Sequence, residues 1–344
     1  MLLVVLAACG PQVQDAAPDV TSSLPTALAE TSTPQRLHAV ILDFSPTVSD
    51  MGALAFLATH PDVFLMAVTL AGTGETACEP GVAMTLGVLT FLGREDVPVA
   101  CGQPDPIDGQ NAFPDSWRLS PSDLGVQLGV PTDQRSASEL IIELVRASPL
   151  PVDIVAVGPL TNLAVAFAVD PELPSMVGGI TIMGGAIDVP GTAGNELAEW
   201  NIWVDPVAAS DVIRSGSPIT LVPLDVTNRV PTGSVFFEAL DQHSDAAAAR
   251  FIRDLWLAQG EWAANRDGYY YFWDELAAAF LVDESLFTTV TRSLTVEISD
   301  PLAQGRTLPD ATGSPVRVVT AVRRLAFEQL LLETLVGGPA ELDY

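Results

Sequence analysis

The stretch that decides the fold is Val152-Asp-Ile-Val-Ala-Val157 followed by Gly158-Pro-Leu-Thr-Asn-Leu-Ala164. The first part is a short β-branched run, which is typical of a strand covered on both faces. Pro159 fixes φ and removes a backbone donor, so the chain must leave the sheet there. Residues 162–168 then predict a helix that ends before Pro171. Because ligands collect at strand-end turns of open α/β sheets, this turn predicts one edge of a binding site.

The same alternation of strand and helix runs through the chain from residue 36. Further strands are predicted at 38–44, 64–70, 97–100, 180–183 and 219–222, and helices at 51–59, 81–92, 137–147, 233–240, 244–264 and 274–282. Residues 103–135 are rich in Pro, Asp, Gly and Ser and predict a long functional loop. The pattern predicts one α/β domain over 37–340: a doubly wound, mostly parallel sheet flanked by helices, with a C-terminal β-ribbon (293–320) and helix (321–336).

The charge balance excludes some classes of partner. The 344 residues carry 43 Asp and Glu against 15 basic residues, all of them arginine, for a formal net charge of −28. A field of that sign repels phosphate backbones and anionic lipid headgroups. We therefore expect neither nucleic-acid binding nor adsorption to an anionic membrane.

The N-terminus predicts export. Residues 1–9 are apolar and end in Leu6-Ala-Ala-Cys9, which resembles the lipobox of bacterial lipoproteins. This predicts a signal peptide over 1–9 with lipid on Cys9, a disordered tether over 10–36, and a periplasmic or cell-surface protein that meets the membrane only through its lipid. The run is short and lacks a basic flank, so a frayed apolar N-terminus is the alternative.

Two cysteines remain if Cys9 carries lipid. Cys78 and Cys101 are then candidates for a disulfide in an oxidising compartment. The alternative is that both are unpaired small apolar residues.

Polar residues that core packing does not require follow several predicted strands. They are Asp43 to Asp50, Gly72-Thr-Gly-Glu75, Thr161-Asn162, Ala198-Glu-Trp-Asn201 and, at the start of a helix, Trp273-Asp274. In this order the segments resemble the inosine–uridine-type nucleoside hydrolase family, and the similarity runs from about residue 38 to 336.

The resemblance implies a calcium site. In that family a D-x-D-x-x-x-D-D motif after the first strand holds calcium, together with the threonine carbonyl of G-P-L-T-N and a late aspartate. Carried over, Asp50 is the bidentate ligand, Thr161 the backbone ligand and Asp274 the late carboxylate.

The resemblance also implies a nucleoside as the small-molecule partner. Glu199 and Asn201 match residues that hydrogen-bond the ribose hydroxyls. A further sugar contact falls on Gly191-Thr192 or on Gly194-Asn195, and Thr73 stands where an asparagine is usual. Relatives are often dimers or tetramers, which leaves a homo-oligomer open.

Two tryptophans are similar to those of the purine-preferring branch. Trp273 replaces the histidine that acts in many relatives as the acid for the departing base. Trp117 matches a second stacking residue. Together they imply a sandwich around a purine, each contact contributing roughly 1–3 kcal/mol.

The first motif departs from the family pattern. It reads Asp43, Ser45, Ser49, Asp50 where four aspartates are usual. Ser45 replaces a calcium ligand that also deprotonates the attacking water, and Ser49 replaces a carboxylate that grips the ribose. Fewer carboxylates weaken calcium binding, and loss of a positioned base costs about 10²–10⁴ in rate.

Three readings of the function follow. The chain is a tethered, calcium-dependent hydrolase of purine nucleosides in which Asp43, Ser45 and Ser49 occupy the catalytic motif. Alternatively, it is a lipoprotein that keeps the sugar and base pocket but has weak or no turnover. The third reading is a structural relic of the fold.

Overall fold

One mixed sheet organises the part of the chain that the computed structural model describes, residues 37–115, 126–131, 133–258 and 270–342. Its strands are β1 (His38–Phe44), β2 (Val63–Leu70), β3 (Val99–Cys101), β4 (Val152–Ala156), β5 (Val177–Met183), β6 (Ile219–Val222), β7 (Phe287–Val296), β8 (Thr307–Pro309) and β9 (Ser314–Val322).

Helices cover both faces of the sheet. They are α1 (Val48–Thr59), α2 (Cys78–Phe91), α3 (Ala137–Ala147), α4 (Thr161–Val169), α5 (Trp200–Val204), α6 (Pro206–Arg214), α7 (Leu224–Thr227), α8 (Ser234–Gln242), α9 (Ala247–Ala258), α10 (Asp274–Val282) and α11 (Arg324–Val336). Leu173–Ser175 and Glu284–Leu286 form single 3₁₀ turns.

The strand order is β3-β2-β1-β4-β5-β6-β9-β7-β8. Strands β1 to β6 are parallel to one another, β9 is parallel to β6, and β7 and β8 are antiparallel additions. The chain reverses its direction of travel across the sheet between β1 and β4. The predicted doubly wound fold is therefore confirmed, and its switch point lies beside the Gly158-Pro turn.

The apolar runs of the central strands are explained by burial on both faces. In β1, Val40 and Leu42 join a core that includes α1, α8, α9, α10 and α11, whereas Ile41 joins a second core with α3, α4 and α6. All three side chains are fully buried. This two-sided burial is why the strand sequences are nearly continuous apolar runs.

Several element bounds differ from the sequence prediction. Helix α1 begins at Val48, three residues before the predicted start, and places Asp50 in its first turn. Helices α5 and α6 were not predicted, because each is short and depends on a buried carboxylate cap, Glu199 and Asp205. The C-terminal ribbon begins at Phe287 and extends the main sheet.

The described residues lie in one compact unit, Arg36–Tyr344. Each helix among them is too short or too polar to span a bilayer. Cys78, which begins α2, is bonded to Cys101, which ends β3, with their Cα atoms 5.7 Å apart. The predicted leader with Cys9 and the tether at 10–36 lie outside the described residues.

Candidate active site

A cavity of about 540 Å³ opens at the carboxyl ends of β1, β4 and β5, beside the switch point. Loops from separate strands supply its lining, which includes acidic and aromatic side chains. The lining residues are Ser45, Thr47, Val48, Ser49, Asp50, Glu75, Phe113, Val157, Met183, Thr192, Glu199, Trp200, Asn201, Leu224, Tyr270, Trp273 and Asp274.

The Gly158-Pro-Leu-Thr-Asn turn ties the strand ends together. A Cβ on Gly158 would lie 3.0 Å from the carbonyl carbon of Phe44 and from the backbone nitrogen of Ser45, so glycine favours this close approach of the two chain segments. Asn162 Nδ2 donates to Asp43 Oδ1 at 2.7 Å and to the Leu70 carbonyl at 2.9 Å. The turn thus holds the ends of β1, β2 and β4 in register.

Asp50 and Asp274 belong to the acidic part of the lining. Asp50 Oδ1 accepts from the backbone N–H of Ser45 at 2.9 Å, and its Oδ2 accepts from the Thr47 hydroxyl. Asp274 opens α10, and its Oδ2 accepts from the Ser49 hydroxyl. Both aspartate side chains are buried.

Burial raises the pKa of both carboxyls well above the ordinary aspartate range, because desolvation disfavours the charged form. The negative charge of Asp50 raises the pKa of Asp274 further. Two buried carboxylates that repel one another are stabilised when a cation lies between them.

The donor set of this cavity fits calcium. The lining holds four carboxylates, those of Asp50, Glu75, Glu199 and Asp274, and in its described part no Lys, Arg or His. Calcium accepts carboxylate, carbonyl, hydroxyl and water oxygens. Within the described ranges no three His, Cys, Asp or Glu side chains converge closely enough to hold a metal, so Asp50 and Asp274 would need non-carboxylate oxygens as co-ligands.

Glu199 and Asn201 line the same cavity. Glu199 caps α5 and accepts from the backbone N–H groups of Asn201 at 2.9 Å and Gly185 at 3.2 Å. Desolvation raises the pKa of Glu199 to about 7 against these hydrogen bonds. Asn201 Nδ2 donates to the carbonyls of Val157 at 3.0 Å and Met183 at 3.2 Å, which fixes it across the ends of β4 and β5.

Aromatic side chains also line the cavity. Phe113 stacks on Trp200 with ring centroids 5.1 Å apart and an interplanar angle of 20°. Trp273 meets Tyr270 edge to face at 4.8 Å. Flat apolar walls of this kind suit a planar heteroaromatic ring. Trp117, the predicted partner of Trp273, lies outside the described residues.

Two predicted site residues lie away from the cavity. The Thr161 hydroxyl donates to Asp205 Oδ2 at 2.8 Å and lies 3.0 Å from the hydroxyl of Thr73. Asp205 Oδ2 also accepts from the backbone N–H of Ile107 at 2.9 Å, which anchors the loop after β3. Thr161 and Thr73 therefore brace loops through their side chains, and the cavity lining includes Val157 of this segment.

Asn195 and Asp43 are also absent from the lining. Asn195 Oδ1 accepts from the backbone N–H of Ala198 at 3.0 Å and its Nδ2 donates to the Gln304 carbonyl at 2.8 Å, so it shapes its own loop. Of the two alternatives for this sugar contact, it is Thr192 that lines the cavity. Asp43 is fully buried, and its Oδ1 accepts from Thr69 and Asn162 at 2.7 Å each.

The sequence reasoning missed several lining residues. Val157 and Met183 are apolar strand ends whose contribution depends on backbone position, so no side-chain signal marks them. Trp200 stands inside the Ala-Glu-Trp-Asn motif, in which the polar residues Glu199 and Asn201 carry the resemblance to the family. Glu75 was noted as a strand-end residue without a role, although it lies in the same cavity as Asp50 and Asp274.

The chain matches known proteins over nearly the whole described region. A family model described as inosine-uridine preferring nucleoside hydrolase matches residues 40–329. The pyrimidine-specific ribonucleoside hydrolase RihA of Enterobacter sp. (strain 638) is 33% identical over 308 residues, which cover 86% of this chain and 97% of that protein.

Solved structures agree with the sequence match. A plant nucleoside hydrolase, the PpNRh1 enzyme, superposes with a TM-score of 0.78 at 29% identity and covers 87% of this chain and 99% of its own. The purine-preferring ribonucleoside hydrolase from Gardnerella vaginalis gives a TM-score of 0.75 at 27% identity, with 87% of this chain and 98% of that chain covered.

Proposed function

Since the chain belongs to the inosine-uridine preferring nucleoside hydrolase family, we propose that it hydrolyses the N-ribosidic bond of purine nucleosides with the help of calcium. The observation that carries the proposal is the composition of one cavity. Asp50 and Asp274 share its lining with Glu199 and Asn201, which match sugar-binding residues of the family, and its aromatic rings suit a base.

Asp50 and Asp274 would hold the cation, and Val157, which lines the cavity, would offer its carbonyl in the role expected of Thr161. Calcium, when bound, polarises a water molecule and orients it toward the sugar. Ser49 keeps Asp274 fixed through the hydrogen bond between their side chains. Glu199 and Asn201 are held by backbone groups, so they are preorganised to bind ribose hydroxyls.

The aromatic lining supports the preference for purines. Large rings line the cavity, those of Trp273, Tyr270, Phe113 and Trp200, and a two-ring base gains more stacking area than a single ring. The relatives divide by name, since one is called pyrimidine-specific and another purine-preferring. We assign the purine preference from the rings of this chain.

A second candidate function is nucleoside binding with weak or no turnover. It is favoured by one observation: serine hydroxyls, Ser45 and Ser49, line the cavity at positions where the family motif carries carboxylates. A serine cannot accept the proton of the attacking water as a carboxylate does.

Export as a lipoprotein is part of the proposal. It is supported by the Leu6-Ala-Ala-Cys9 sequence and by the disulfide between Cys78 and Cys101, since disulfides persist in oxidising compartments. Mass spectrometry of the mature N-terminus tests this: lipid on Cys9 is expected, and an unmodified, uncleaved N-terminus in membrane fractions would refute it.

The test of the activity is base release from a nucleoside panel. Purified protein with added calcium is incubated with inosine, guanosine, adenosine, uridine and cytidine, and the free base is separated and quantified. We expect release from the purine nucleosides above the pyrimidine ones. Nucleoside binding without release would establish the second candidate, and neither binding nor release would refute both.

A further inference from the structure

The acidic lining of the cavity lacks a charge at Ser45, and a neighbouring loop covers that position. A Cβ on Gly74 would lie 2.1 Å from the Cβ of Ser45 and 2.9 Å from the carbonyl oxygen of Ala71. Residue 74 must therefore be glycine for the loop after β2 to lie against residue 45. The residue that follows Gly74 in this loop is Glu75.

Glu75 faces the same space as the two aspartates. It lines the cavity together with Ser45, Asp50 and Asp274. The close approach of Gly74 to Ser45 brings the loop that carries Glu75 against the loop that leads into Asp50.

We propose that Glu75 is the third carboxylate of the cation site and replaces the charge that Ser45 lacks. The inference rests on the proposed function, since it concerns the same site. No three acidic side chains converge to direct-ligand distance among the residues described. Glu75 therefore acts on the cation through an intervening water molecule, as carboxylates outside the ligand set commonly do.

This placement also explains how the motif tolerates serine at position 45. The affinity of a calcium site follows the number of carboxylates that surround it. A carboxylate on the loop after β2 instead of the loop after β1 keeps three negative charges around the cation, two of them on direct ligands, because the two loops lie against each other at Gly74 and Ser45.

The test is calcium titration calorimetry on the full chain. Glu75→Gln keeps the shape of the side chain and removes its charge, and it should weaken the calcium Kd about tenfold or more, as for removal of other outer carboxylates. Glu79→Gln removes an exposed charge four residues further on, in α2, and should leave the Kd unchanged. Glu75→Asp keeps the charge and should retain most of the affinity.

A double variant that relocates the carboxylate makes the test sharper. Adding Ser45→Asp to Glu75→Gln returns a carboxylate to the first motif and should recover most of the lost affinity. The proposal is overturned if Glu75→Gln binds calcium as the wild type does, if Glu79→Gln weakens binding equally, or if the wild type binds no calcium.

Base release from inosine is measured on the same samples and separates the two proposals. Wild-type protein that releases no base but loses calcium affinity only through Glu75→Gln would contradict the proposed function and support the role of Glu75. Rapid release of base with unchanged calcium affinity in Glu75→Gln would support the proposed function and contradict the role of Glu75.

Discussion

At the scale of single residues, the site depends on carboxyl groups buried against their solvation preference. Asp43 shows this away from the cavity: it is fully buried, Thr69 and Asn162 donate to its Oδ1, and its Oδ2 has no hydrogen-bond partner. Desolvation raises the pKa of Asp43 from 3.8 to about 7. The group therefore makes the folded state sensitive to pH in the neutral range.

The sign of this effect is fixed by the raised pKa. Between pH 4 and 7 the unfolded chain loses the proton of Asp43 before the folded protein does, so the free energy of unfolding falls as pH rises. The shift corresponds to roughly 4 kcal/mol by pH 8. We expect Asp43→Asn to reduce the loss of stability between pH 5 and pH 8, measured by urea unfolding without calcium.

Asp105→Asn, at an exposed loop position, is the control and should keep the pH dependence of the wild type. An Asp43→Asn variant that loses as much stability over this range as the wild type would contradict the assignment.

At the scale of elements, Asp50 and Asp274 line the same cavity because α1 and α10 pack directly against each other. Asp50 lies in the first turn of α1 and Asp274 begins α10. Gly52 permits the close approach, since a Cβ there would lie 2.1 Å from Oε1 of the buried Glu275. The packing of the helices thus sets the spacing of the carboxylates.

Gly52→Ala should destabilise the protein by about 1–3 kcal/mol, the usual cost of overpacking a filled interface. Glu275 is buried, so its displacement by the added methyl group should disturb the packing of α1 on α10 and weaken calcium binding as well. Denaturant unfolding and calcium titration measure both effects.

Gly338→Ala is the matched control, because no atom lies within 4 Å of its added Cβ. Equal stability of Gly52→Ala and Gly338→Ala would show that the interface can absorb a methyl group, contrary to this account.

At the scale of the whole molecule, a disulfide links two elements at the carboxyl edge of the sheet. Cys78 begins α2 and Cys101 ends β3, with 23 residues of sequence separation. A crosslink of this loop size restricts the unfolded chain and typically stabilises a protein by about 3 kcal/mol. The bond therefore supports the loops that carry Glu75 and the region after β3.

Replacing both residues, Cys78→Ser with Cys101→Ser, should lower the free energy of unfolding by about 2–4 kcal/mol. Treating the wild type with a reductant should produce a similar loss, and the reductant should not affect the double variant. A double variant as stable as the oxidised wild type would show that the bond contributes nothing to stability.

Much of the architecture could be predicted from sequence, because strands that are buried on both faces consist of nearly continuous β-branched and other apolar residues. The same holds for Asp50, Glu199, Asn201 and Asp274, whose polar side chains stand where packing requires none. Which other residues line the cavity depends on the direction in which backbone turns orient each side chain. That Val157 and Thr192 line the cavity, whereas Thr161 and Asn195 do not, is set by turn geometry that local sequence does not encode.

The central claim is that Asp50 and Asp274 together hold a cation that turnover of a nucleoside requires. The most direct measurement is the initial rate of hypoxanthine release from inosine, followed as calcium is added to chelator-treated protein. We predict a rate that rises from near zero to saturation in the wild type and falls at least about 100-fold in folded Asp274→Asn. Equal rates with calcium and with chelator, or undiminished turnover by Asp274→Asn, would contradict the account.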